Sequence, residues 1–92
     1  MICRHIIFEG RVQGVGFRYT CRQLAMGFDL TGTVANLPDG SVEMQLCGEE
    51  EEVRDYLDEL TEDSPMRHHI KEVRVTDQPV PEEAFRGFNV LQ

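Results

Sequence analysis

The chain has 92 residues, 40% of them hydrophobic, and 17 acidic residues against nine basic ones leave a formal charge of −8 at pH 7. That length carries one compact domain with a modest core, so residues 1–92 are expected to fold as a single unit. The acidic balance disfavours nucleic-acid binding, no stretch is long and apolar enough to span a bilayer, and residues 1–9 do not resemble a cleavable leader; a cytoplasmic protein is expected.

Residues 4–8 alternate, with Arg4, Ile6 and Phe8 on one side and Cys3, His5, Ile7 and Glu9 on the other, which predicts a strand. Next comes the glycine-rich stretch GRVQGVGFR, residues 10–18. Cys21, Leu24, Ala25 and Phe28 then fall at helical spacing and predict a helix over residues 18–28 with Arg18 in its first turn. LTGTVANLPDGSVEMQLCG reads as two strands joined by a turn at Pro38, Asp39 and Gly40, the second with Val42, Met44 and Leu46 on one face. A second helix is expected over EEEEVRDYLDELTED, with Val53, Leu57 and Leu60 as its inner stripe and its leading glutamates at the positive end of the helix dipole. HIKEVRVTD gives a further strand around Val73 and Val75, with Ile70 out of phase as at a bulge, and Phe88 to Val90 give a short closing strand.

The order strand, helix, strand, strand, helix, strand, plus a short C-terminal strand, predicts an α+β class. It is the split βαβ, ferredoxin-like sandwich (βαββαβ), an antiparallel sheet with two helices on one face. A right-handed crossover makes the first two strands parallel, with the third between them. Their C-terminal ends then share one edge of the sheet, so the glycine loop meets Asn36.

Glycines at 14 and 16 before a helix would expose backbone N–H groups and the positive end of a dipole, and Arg18 adds a full charge. Together they make a cradle for one phosphate. The plainer reading is a tight turn with a solvated first-turn arginine. Nucleotide motifs do not fit: no glycine stands at position 19 to complete GxGxxG, and no lysine followed by Ser or Thr completes a Walker loop.

GRVQGVGFR, GTVANLPDGSVE and the following Cys47 and Gly48 together resemble the acylphosphatase family, in order and spacing over essentially the whole chain. The resemblance implies a small ferredoxin-like hydrolase that cleaves the carboxyl-phosphate bond of acyl phosphates, releasing inorganic phosphate, without metal or cofactor. It implies that Arg18 binds phosphate, that Asn36 positions the attacking water, and that the backbone of Gln13, Gly14, Val15, Gly16, Phe17 and Arg18 forms the phosphate loop. Thr33 stands where an aromatic residue is common in the family, and the terminal FNVLQ lacks an aromatic end. Asp29 replaces a frequent glycine after the first helix and is expected to take the left-handed conformation glycine would adopt there.

The chemistry is coherent on the residues alone. An acyl phosphate has a carboxylate leaving group, stable as an anion at neutral pH, so phosphoryl transfer needs positioning and charge stabilisation more than a general acid. Metal binding fits poorly: His68 and His69 are adjacent and on a strand would point to opposite faces, with only His5 elsewhere. Cys21, on the apolar helix face, is expected to be packed and unreactive. Cys3 and Cys47 are expected opposite one another on antiparallel strands, within disulfide reach; reduced thiols are the competing expectation, since three cysteines without CxxC spacing suit a reducing compartment. No large apolar patch is evident, so a monomer is expected. A non-catalytic anion-binding or regulatory module remains the functional alternative, because this fold hosts many functions.

Overall fold

Apolar alternation sets the strands of the computed structural model, which describes residues 1–83 and 85–91. Strand β1 (Ile2–Gly10) leads through a loop to helix α1 (Phe17–Ala25), and strands β2 (Leu30–Asn36) and β3 (Val42–Gly48) form a hairpin. Helix α2 (Glu50–Asp58), β4 (Ile70–Gln78) and β5 (Phe88–Val90) complete the order. The sheet runs β4-β1-β3-β2-β5. β3 is antiparallel to both β1 and β2, which makes β1 and β2 parallel as their crossover requires. The last strand joins β2 in parallel, so the sheet is antiparallel through four strands and mixed only at this edge.

Alternate apolar side chains of β1, β2 and β3 enter one core: Ile6, Phe8, Val34, Met44 and Leu46 are fully buried there, beside buried Phe17 and Cys21 of α1 and Val53 of α2. Both helices therefore cover the same face. Burial of this set is the main stabilising term, at roughly 25 cal/mol per Å² of apolar surface removed from water. Tyr56 belongs to it as well, completely buried, with its hydroxyl donating to the Cys21 carbonyl at 2.8 Å. That bond joins the two helices and satisfies the one polar atom that burying tyrosine would otherwise strand.

Helix α1 ends three residues before the expected boundary. Phe28 still packs on the core from the turn that follows, edge-to-face against Tyr56 at 5.7 Å between centroids. No non-glycine residue among those described has positive φ, so Asp29 does not take a left-handed conformation; its N–H instead donates to Glu52 Oε1 at 2.8 Å. The second helix is shorter than expected too. After Asp58 it widens into a π turn (Glu59–Asp63), closed by a bond of 2.8 Å from the Ser64 N–H to the Glu59 carbonyl. Pro65 explains the break: it forces the residue before it out of the helical region, and Ser64 sits at φ −72°, ψ 158°. The Ser64 hydroxyl oxygen then caps a short 3₁₀ turn (Pro65–His68) by accepting from the Met66 N–H.

His68 lies in that turn and His69 follows it, so neither is on a strand as the sequence suggests. Ile70 does mark an irregularity: β1 and β4 change register between Glu9 and Gly10, which pair with Glu72 and Ile70. On the sheet's other face Cys3 and Cys47 are register partners, joined as a disulfide with 4.1 Å between their Cα atoms. His5 and Glu43 follow them on that face, 2.8 Å apart.

Candidate active site

The path from β1 into α1 has to turn sharply, and Gly14 and Gly16 do it at φ 76° and φ 79°. An added Cβ would meet nothing at either position, so the glycines are required by backbone conformation rather than by lack of space. Gly16 is the N-cap of α1, and no side chain caps this end. The first-turn N–H groups are left to other acceptors, at the positive end of the helix dipole.

Phe17 fixes that end in place. Buried, it meets Phe8 of β1 edge-to-face at 5.0 Å, which seats the first turn of α1 against the sheet. Arg18 comes next, half-buried at the wall of a cavity of about 560 Å³ that also exposes Gly14, Gly16 and Asn36. Thus the glycine loop, Arg18 and Asn36 meet at one edge of the sheet. Gln13 and Val15 do not line this cavity. The Gln13 amide instead donates to the Leu37 and Ser41 carbonyls, both at 2.8 Å, bracing the loop against the β2–β3 turn. Val15 packs on the core.

Asn36 has an unusual feature: its Oδ1 is buried and accepts no hydrogen bond among the described residues. A buried amide oxygen without a donor costs about 1–3 kcal/mol, and such atoms concentrate where a ligand or water supplies the missing partner. Arg18 Nη1 donates to the Leu91 carbonyl, which brings the C-terminal segment to the site. Asn89 and Val90 of β5 border the same cavity. Sequence reading missed these three residues. The only available signal was the short closing strand, which does not say at which edge it docks.

Arg11 stands apart, exposed, with its N–H bonded to the His69 carbonyl at 2.9 Å. Cys21 is wholly buried, and burial pushes its thiol up to about 12, which removes it from thiolate chemistry near neutral pH. Among the described residues no three His, Cys, Asp or Glu side chains gather at metal-binding spacing.

Residues 4–90 match the family model described as Acylphosphatase. The chain belongs to the acylphosphatase family. It is similar to the curated acylphosphatase of Acaryochloris marina, 39% identical over 92 residues and covering all of this chain and 96% of the other. The one from Vibrio parahaemolyticus is 37% identical over 89 residues, covering 97% of this chain and 96% of its own. Among solved structures, the acylphosphatase of Bacillus subtilis superposes with a TM-score of 0.87 at 32% identity, with both chains fully covered. Within the described residues no helix is long and apolar enough to cross a membrane.

Proposed function

We propose that this chain hydrolyses the carboxyl-phosphate bond of small acyl phosphates to a carboxylate and inorganic phosphate. The observation that carries this reading is the meeting, at one cavity, of Arg18 and an uncapped helix start with the buried, unpartnered oxygen of Asn36. The first two suit any phosphate; the third suits hydrolysis, because a water donating to Asn36 Oδ1 has its lone pair free for phosphorus.

The arginine and the loop N–H groups hold the phosphoryl oxygens and take up charge as the bond to the carboxylate opens. Arg18 already donates to a neutral carbonyl, that of Leu91, and a phosphate oxygen is the stronger acceptor. The water's proton passes to a phosphoryl oxygen of the substrate, and the leaving carboxylate departs as an anion. No general acid, nucleophilic side chain or metal enters these steps.

Phosphate release from benzoyl phosphate in excess chelator, with a phosphate monoester as control, tests the proposal. Hydrolysis of the acyl phosphate alone is expected, with Arg18→Ala and Asn36→Ala each lowering kcat/KM by about a hundredfold or more. Full activity in both variants would falsify the site, and dependence on added metal the mechanism. Phosphate binding without turnover would identify the non-catalytic module instead.

The same reading takes the protein as a monomer, which sedimentation checks. It also takes the protein as cytoplasmic, and the Cys3–Cys47 bridge stands in tension with a reducing compartment. Thiol titration in denaturant without reductant separates the two states: one reactive thiol, Cys21, if the pair is bridged, and three if it is not.

A further inference from the structure

In a chain of net charge −8, the described side chains bordering the candidate site include two arginines, Arg18 and Arg22, and among the described residues no carboxylate. Arg22 lies four residues beyond Arg18, in the last turn of α1, so the two guanidiniums emerge on one side of the helix with Cα atoms separated by about 6 Å of axial rise. Like charges at this spacing destabilise a helix by a few tenths of a kcal/mol. Away from this cavity, Arg4, Arg54 and Arg74 pair with carboxylates and Arg67 with backbone carbonyls, while the guanidiniums of Arg11 and Arg86 have no such partner among the described residues and border no part of the cavity. Arg22 has no such partner among the described residues, and it borders the cavity one helical turn beyond Arg18. A last-turn arginine also meets the negative end of the dipole, but that role does not require a place on the cavity wall.

Resting on the reading of this cavity as an acyl phosphate site, we propose that Arg22 binds a second anionic group, a carboxylate on the acyl portion. The site then favours acyl phosphates of dicarboxylic acids over those with neutral acyl groups. With the phosphoryl group held at the loop and Arg18, the acyl group points outward past Tyr19, and its far carboxylate meets Arg22.

The test compares meta-carboxybenzoyl phosphate with its neutral isostere, meta-carbamoylbenzoyl phosphate, in the unsubstituted protein and in Arg22→Gln. The ratio of kcat/KM values, carboxylate over amide, is expected to fall about fivefold in the variant, chiefly through KM. In the unsubstituted protein the ratio should fall as salt is raised, whereas in the variant it should respond little. An unchanged ratio in Arg22→Gln overturns the inference and leaves the proposed function standing, even if the variant melts lower, as the dipole role alone would allow. Failure of the unsubstituted protein to hydrolyse either compound overturns both.

Discussion

Helices α1 and α2 invite comparison, since each has nine residues, packs on the same face of the sheet and begins without a capping side chain. They differ in who supplies the anion. Helix α2 follows an extended Glu49 and carries Glu50, Glu51 and Glu52 in its first turn, so its own side chains occupy the positive end of the dipole. Helix α1 has no acid there, begins at a left-handed glycine and places Arg18 in its first turn. Two helix starts with the same backbone physics thus have opposite uses, one answered within the chain and the other left for a ligand.

Placing a carboxylate in the first turn of α1 should collapse this difference. Tyr19→Glu is expected to lower kcat/KM for benzoyl phosphate by about tenfold to a hundredfold, mainly through KM, because the new charge competes for the same N–H groups and repels phosphate. Steady-state kinetics at two salt concentrations would show it, and an effect insensitive to salt would point to packing instead. A smaller loss follows from the turn itself. Gly16→Ala forces a Cβ into φ 79°, at a cost of about 1–2 kcal/mol in unfolding free energy. Chemical denaturation measures that cost, and a variant as stable as the parent would mean that the turn relaxes.

At the other helix, Glu50→Gln, Glu51→Gln and Glu52→Gln should each remove about 0.3–1 kcal/mol at low salt while leaving turnover intact. A fall in kcat with any of them would mean that the two helix starts are not independent. The smallest effect lies outside both helices, at Asp39 in the β2–β3 turn. Hydrogen bonds from the Ser41 hydroxyl and then from its N–H hold the Asp39 carboxyl below its ordinary value of 3.8. With the folded value depressed, the stabilisation is present above the unfolded value and lost as pH falls through the folded one. Asp39→Asn should therefore flatten the decline of stability below about pH 4. Urea midpoints recorded against pH would reveal a change of slope.

Strand alternation and the handed crossover make the meeting of Arg18 and Asn36 legible in the sequence, because the first places both residues near strand ends and the second brings those ends to one edge. The bulge at Ile70 and the closing strand Phe88–Val90 are legible from local pattern alone. Tyr56 was missed although it lies three residues after Val53, at helical spacing; its hydroxyl disguised an apolar position, and only the fold shows the Cys21 carbonyl that receives it. The contact of Arg18 with Leu91 spans 73 residues and depends on the edge at which β5 docks, information that no local window contains. The side chain of Gln13 was similarly hidden, since its acceptors belong to a turn 24 and 28 residues away.

The pairing of Cys3 with Cys47, 44 positions apart, makes the first half of the chain a covalent ring. Gly14, Gly16, Arg18 and Asn36 all lie inside it. A single protease cut at the exposed Pro38–Gly40 tip would open the backbone between Asn36 and the bridge without separating the fragments, and reduction would leave only the strand pairing of β3 with β1 and β2 to hold them. Nicked protein examined with and without reductant would thus report whether the site is held together by sulfur or by the sheet alone.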